Sequence, residues 1–231
     1  MVPAPDLNAR FVAFEGGDGV GKTTQIARLA EHLRAAGETV VLTREPGATA
    51  LGRQIRAILL GDDDTITSHR AEALLFAADR AEHVASVVAP ALKSGAWVLT
   101  DRFIDSSVAY QSAGRGLHAD EVRRISQWAT GGLLPSCVVV LDAPVARLAE
   151  RLGDKLDRME KAGSEFHEKV RASFLTVAGH HPERYAVIDA TGSRDDVAAQ
   201  VVAAVSRVSR RSGAGVFPTG PAETSEQAPA R

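Results

Sequence analysis

The chain is poor in residues that staple or anchor a protein from outside its core. Only one of its 231 residues is a cysteine, Cys137, which excludes an internal disulfide. Its setting, Ser136-Cys137-Val138-Val139-Val140, reads as a buried strand with an inert thiol. Neither sign of charge dominates: 27 Lys and Arg stand against 29 Asp and Glu, a formal net charge of −2. That balance removes any electrostatic case for a nucleic-acid or anionic-membrane partner. No apolar run approaches the ~18 residues of a membrane helix. The start, Met1-Val2-Pro3-Ala4-Pro5-Asp6, lacks the basic and apolar parts of an export signal, so a soluble cytoplasmic protein is expected.

What is present is a 45% hydrophobic composition, enough for a full core in a chain long for one domain and short for two. Short β-branched runs alternate with longer helical periods, the pattern of a parallel sheet with helices on both faces. It predicts strands at 10–15, 39–43, 96–100, 137–142 and 185–189. Helices are predicted near 22–36, 51–60, 70–93, 106–112, 119–130, 144–152, 160–178 and 194–208. After about Arg211 the composition shifts to Ser, Gly, Pro, Ala, Thr and Glu without a period, so 211–231 is expected to be a disordered tail behind a domain spanning 8–210.

Directly after the apolar stretch Phe11-Val12-Ala13-Phe14 stands Gly16-Gly17-Asp18-Gly19-Val20-Gly21-Lys22-Thr23, followed by Thr24, which fills the phosphate-loop pattern GxxxxGK[ST]. Backbone N–H groups can wrap a polyphosphate only where no Cβ blocks the approach, which Gly16, Gly19 and Gly21 permit. Lys22 adds a mobile positive charge for the outer phosphates. Thr23 offers a hydroxyl to Mg²⁺, and the helix starting there turns its positive dipole end to the anion. A nucleoside triphosphate is the ligand this implies.

The phosphate loop alone does not separate a GTPase, a motor ATPase and a small-molecule kinase. There is no Asn-Lys-x-Asp segment to read guanine and no apolar strand ending in Asp-Glu. Instead Trp97-Val98-Leu99-Thr100 ends in Asp101-Arg102-Phe103, at the strand end where α/β sheets place ligands. Asp101 suits the water shell of Mg²⁺, and Arg102 suits a bidentate phosphate clamp. Ser106, Ser107, Tyr110 and Gln111 follow, groups suited to a base edge or a sugar; the bland alternative is two helix-start serines and a core tyrosine. The loop Thr43-Arg44-Glu45-Pro46-Gly47 leads to a helix with Leu51, Ile55, Ile58 and Leu59 as its apolar stripe, leaving Arg53 and Arg56 to face an anion or water. Phe76 and Arg80 stand four apart, able to stack on a base and bond its carbonyl, or to serve the core.

Together the acid inside the phosphate loop, Arg44-Glu45-Pro46-Gly47, Leu75-Phe76-Ala77-Ala78-Asp79-Arg80, and Asp101-Arg102-Phe103 with Ser106-Ser107-x-Ala109-Tyr110-Gln111 closely resemble the thymidylate kinase family, over roughly residues 10–208. The resemblance implies a three-layer P-loop NTPase fold, a five-stranded parallel sheet flanked by helices with a short lid, and commonly a homodimer. It implies phosphoryl transfer from MgATP to dTMP, giving dTDP and ADP in dTTP biosynthesis. By motif position, Gly16 to Thr24 would hold ATP, and Asp18 would meet the nucleotide sugar and disfavour ribose. Phe76 would stack on thymine and Arg80 bond its carbonyl edge. Arg102, with Arg56 and Glu45, would arrange the acceptor phosphate, and Ser106, Ser107, Tyr110 and Gln111 would complete the acceptor site. Thr23 and Asp101 would serve the metal.

Two alternatives remain at this point: a kinase of another nucleoside monophosphate or of a deoxynucleoside, and a nucleotide-binding regulator without turnover. Loss of Lys22, Arg102 or Asp18 would mark the regulator, and all three are present. Bacterial members that carry no arginine after the loop acid, as Gly19 matches, supply the transition-state cation from the lid. Here that lid is expected at about 151–160, with Arg151, Lys155 and Arg158 as its cations. Replacing each by alanine in turn is expected to lower kcat more than nucleotide affinity in at least one case; unchanged kcat in all three variants removes the catalytic role from this segment.

Overall fold

The computed structural model describes residues 7–61, 66, 68–149, 159 and 162–211. The expected tail beyond Arg211 and the expected lid cations Arg151, Lys155 and Arg158 lie outside the described residues.

The first strand, β1 (Phe11–Glu15), is buried at every position. Successive strand side chains point to opposite faces, so a strand buried throughout must be covered on both. Val12 and Phe14 pack into one apolar cluster, Phe11 and Ala13 into another. β1 is accordingly central. With β2 (Val40–Arg44), β3 (Trp97–Asp101), β4 (Cys137–Asp142) and β5 (Tyr185–Asp189) it forms one parallel sheet in the order β2-β3-β1-β4-β5. β2, β3 and β1 begin one residue later than the pattern predicts; β4 and β5 match it. Cys137 is fully buried and its thiol is pushed up to about 12 by burial, which keeps it inert.

One face is closed by α1 (Lys22–Ala35) and α9 (Arg194–Arg211), whose Leu29, Leu33, Val201 and Val205 join Val12, Phe14 and Val139. The other face carries most of the remaining helices. The predicted helix 70–93 is three pieces: α3 (His69–His83), a π-helical turn over Val84–Val88, and α4 (Ala89–Lys93). Pro90 is the physical reason, since its ring displaces the carbonyl one turn back and a widened turn absorbs the displacement. The predicted helix 106–112 is likewise α5 (Ile104–Ser107) running into a π-helical stretch over Val108–Gly114. Then follow α6 (Ala119–Ala129), α7 (Val145–Ala149) and α8 (Ser164–His180). From α8, Phe166, Val170 and Phe174 cover Val138 and Val140 of β4.

One pattern-based expectation changes. In α2 (Ala50–Leu60), Ile55 and Leu59 are buried, but Leu51 and Ile58 are 47% and 41% exposed. A Cβ on Gly52 would sit 2.4 Å from Asp79 Oδ1, so α2 approaches α3 through its glycine edge and turns half of its apolar stripe outward. Among the described residues no helix is long and apolar enough to cross a membrane. All five strands run the same way, so Glu15, Arg44 and Asp101 finish on one edge of the sheet, and the site forms there.

Candidate active site

The phosphate loop is shaped by close approach. A Cβ on Gly16 would lie 2.3 Å from the Leu141 carbonyl oxygen, so only glycine lets the chain leave β1 past the end of β4. Gly21, with φ 100°, starts α1 from a left-handed conformation. Val20 is buried in the core and pins the loop, while Thr23 and Thr24 are exposed at the head of α1. Gly17 and Gly19 lie at the partly exposed and exposed crest. Lys22 is buried and donates to the carbonyls of Gly16 at 3.1 Å and Gly17 at 3.0 Å. Burial, then the Arg102 charge, lower its pKa against the pull of Asp18 and Asp101.

Arg102 is the centre of the second group. Its φ of 68° makes it the one non-glycine in the left-handed region among the described residues, a conformation costing about 1–3 kcal/mol. Its guanidinium donates to Asp18 Oδ1, to Ser106 Oγ at 2.9 Å, to Tyr110 Oη at 3.2 Å and to the Gly16 carbonyl at 3.3 Å. It also lies 5.0 Å from the Tyr110 ring centroid. Tyr110 donates to Asp18 Oδ2 at 2.8 Å, so Asp18 joins the phosphate loop to both residues. Burial alone would raise the Asp18 pKa, yet Arg102, Lys22 and the Tyr110 hydroxyl hold it well below the carboxylate range. Burial, reinforced by Asp18, pushes the Tyr110 phenol up, so it stays a donor.

The third group surrounds Arg80, which is 1% exposed. Its Nε donates to Glu45 Oε2 at 2.8 Å, Nη1 to Ser126 Oγ at 2.9 Å, and Nη2 to the Phe103 carbonyl and Ser107 Oγ, both at 3.0 Å. Among the described residues the second Nη1 hydrogen has no acceptor. His83 Nδ1 lies 2.8 Å from Glu45 Oε1, and Thr43 Oγ1 lies 2.6 Å from His83 Nε2. Glu45 thus lies between Arg80 and His83. Asp79 accepts the Gly47 N–H at 3.0 Å and fixes the same loop; burial and the neighbouring Glu45 raise it to about 6. Gln111 donates to the buried Glu72 at 3.0 Å.

These groups meet in one cavity. Phe76, half-buried, lies on its wall with Arg80, Ser107 and Gln111, while Asp18, Arg102, Ser106 and Tyr110 line the side toward the phosphate loop. Arg56 and Glu45 also line it, and Arg56 donates to the Pro46 carbonyl at 2.9 Å. Arg53 is exposed. Of the expected lid only Met159 is described, and it is buried against the same cavity. Sequence reasoning missed Glu15, Glu72, Asp79, His83 and Ser126. The signal for three of them lay in α3, where Glu72, Phe76, Asp79, Arg80 and His83 recur at helical spacing as a polar stripe; that stripe faces inward.

A cation fits beside the phosphate loop. Thr23 Oγ1 donates to Asp101 Oδ2 at 3.3 Å, and Asp101 Oδ1 is buried without a hydrogen bond among the described residues. No group of three or more His, Cys, Asp or Glu is arranged to hold a metal there among the described residues. One carboxylate and one hydroxyl suit an ion that takes its other ligands from phosphates and water.

Known proteins resemble this chain over most of its length. The family model described as thymidylate kinase matches residues 14–201. The chain belongs to the thymidylate kinase family. It is 52% identical over 198 residues to the thymidylate kinase of Bifidobacterium longum (strain NCC 2705), covering 84% of this chain and 96% of that one. It is 44% identical over 215 residues to the thymidylate kinase of Desulfovibrio desulfuricans, covering 89% and 99%. The crystal structure of thymidylate kinase from Ehrlichia chaffeensis superposes with a TM-score of 0.71 at 31% identity, covering 84% of this chain and 96% of that one. The five-stranded parallel sheet with flanking helices is the fold expected of the family.

The Arg80–Glu45 pair has side-chain exposures of 1% and 2%, so removing the carboxylate charge strands a guanidinium away from water. Glu45→Gln is expected to cost about 3–5 kcal/mol of stability. Denaturant unfolding checks it: a midpoint equal to the parent's shows that the pair holds nothing.

Proposed function

We propose that the protein transfers the γ-phosphoryl group of MgATP to the 5′-phosphate of dTMP, giving dTDP and ADP for dTTP synthesis. The observation that carries this is one cavity lined by an aromatic ring and a guanidinium, Phe76 and Arg80, and by a second guanidinium, Arg102, whose bonds to Gly16 and Asp18 tie its side of the cavity to the phosphate loop. A nucleoside monophosphate is the ligand class with a flat base, a sugar and one phosphate in that order.

The roles follow from the chemistry of each side chain. Phe76 stacks on the thymine, and the remaining Nη1 hydrogen of Arg80 meets its carbonyl edge, with Ser107 and Gln111 beside it. Asp18 and Tyr110 crowd the sugar and disfavour ribose. Arg102, with Arg56, holds the acceptor phosphate with one oxygen toward the γ-phosphorus. That oxygen forms the new P–O bond as the bond to the β–γ bridging oxygen breaks, and the electron pair leaves with ADP. No covalent enzyme intermediate is needed, so catalysis is positioning and charge neutralisation. Lys22, now bonded to loop carbonyls, has its natural partners in the β- and γ-phosphates. Thr23 and Asp101 would hold Mg²⁺, which would supply further charge neutralisation when bound. Residues 151–160 act as the lid, and Met159 against the cavity supports that placement.

The protein works in the cytoplasm, as a domain over 8–210, and as a homodimer. Leu51 and Ile58 on α2, Leu74 on α3 and Trp128 on α6 are exposed, and α3 packs against both other helices, so this side carries apolar surface suited to a second copy.

ADP release, coupled to an indicator reaction, is expected to be fastest with dTMP in a panel of dTMP, dUMP, dCMP, dAMP and thymidine; a better acceptor than dTMP overturns the assignment. In sedimentation the protein is expected to run as a dimer and Leu74→Glu as a monomer. A monomeric parent would sink the dimer.

A further inference from the structure

Glu15 is a buried carboxylate that the mechanism above does not use. It ends β1, is 0% exposed, and has no ion pair among the described residues. A strand end needed only for packing would be apolar, because an unpaired buried charge is costly. A second carboxyl, Asp105, lies nearby, itself buried and bonded by the Tyr185 hydroxyl at 2.9 Å. Burial, then Asp105, push the Glu15 pKa up, because both disfavour its charged form.

Both Glu15 oxygens are spent on the turn that bears Arg102. Oε1 accepts the N–H of Phe103 at 2.8 Å and of Ser106 at 3.2 Å, and Oε2 accepts the Ser106 hydroxyl at 2.5 Å. Ser106 Oγ in turn accepts from Arg102 Nη1 at 2.9 Å. The strained backbone of Arg102 is gripped on every side: its N–H by the Phe14 carbonyl at 2.9 Å, its carbonyl by the Thr100 hydroxyl at 3.0 Å, and the next N–H by Glu15. A left-handed arginine persists only where its surroundings over-determine it.

We propose that Glu15 is a positioning residue for acceptor binding, holding Arg102 in its left-handed conformation and aiming its guanidinium through the Ser106 hydroxyl. The chain is Glu15 carboxylate, Ser106 O–H, Arg102 N–H, acceptor phosphate. The negative end polarises the serine oxygen and so strengthens its hold on the guanidinium. This rests on the assignment of Arg102 to the acceptor phosphate.

The test is Glu15→Gln, which keeps the acceptor for the two amides but removes the acceptor for the Ser106 hydroxyl. KM for dTMP is expected to rise about tenfold, the scale of one charge-assisted hydrogen bond, with KM for ATP changed by less than about twofold. On a Ser106→Ala background the same substitution is expected to add nothing, because the chain is already cut. An unchanged KM for dTMP, equal rises in both KM values, or full additivity with Ser106→Ala overturns the proposal. Arg102→Ala separates the two assignments. If it raises KM for dTMP while Glu15→Gln does not, only the role of Glu15 fails; if it leaves KM for dTMP unchanged, the assignment of Arg102 fails and takes the proposal with it. Should Glu15→Gln not fold, amide hydrogen exchange of the unaltered protein decides. Exchange at Phe103 and Ser106 is expected to slow with dTMP and not with ATP alone, and equal protection by both nucleotides overturns the proposal.

Discussion

The site depends on keeping two guanidinium groups largely out of water before any ligand arrives. A buried or half-buried arginine cannot give up its proton, so it must be surrounded by acceptors. Arg80 meets this with Glu45, Ser126, Ser107 and the Phe103 carbonyl, and Arg102 with Asp18, Ser106, Tyr110 and the Gly16 carbonyl. Of the other polar residues of the cavity, Asp18, Glu45, Ser106, Ser107 and Tyr110 each bond one of these two. Asp18 and Glu45 act as built-in counter-ions to Arg102 and Arg80, so both guanidinium groups are held in place before a ligand arrives.

This constraint explains why polar residues lie where core residues are expected. Helix α3 turns Glu72, Asp79, Arg80 and His83 inward and leaves Leu74 55% exposed. Bonds offset much of the cost of burying those groups: Glu72 is bonded by Gln111, His83 by Glu45 and Thr43, and one oxygen of Asp79 by the Gly47 amide, while its other oxygen is buried without a hydrogen bond among the described residues. The same demand ties distant segments together. Ser126 of α6 and the Phe103 carbonyl both reach Arg80, and Glu15 reaches the turn after Arg102. Rigidity of the acceptor side therefore arises from hydrogen bonds between elements as much as from apolar packing.

Much of the architecture was legible from period and loop chemistry. A fully buried strand shows itself as a continuous apolar run, and Phe11-Val12-Ala13-Phe14 ahead of a glycine loop fits a central strand and little else. The π-helical turns were not legible, because a widened turn has no period of its own; Pro90 was the one hint. The apolar stripe of α2 was visible, but not that Gly52 would be pressed against Asp79 and turn Leu51 and Ile58 outward.

By itself the sequence determined the order of elements, the phosphate loop and the inventory of groups near it, because these rest on local periodicity and on steric needs such as the missing Cβ of Gly16. Only the tertiary structure decided the partners. Glu15 is indistinguishable from a surface carboxylate as a letter in a chain, and neither the loop of Glu45 nor the helical spacing of Asp79 names the group that each one bonds. Their roles come from a sheet edge and an inverted helix that bring residues far apart in sequence within hydrogen-bonding distance, such as Glu15 to Phe103 and Arg80 to Glu45. Burial then makes each of those bonds obligatory, and burial is a property of the assembled fold, not of the residue.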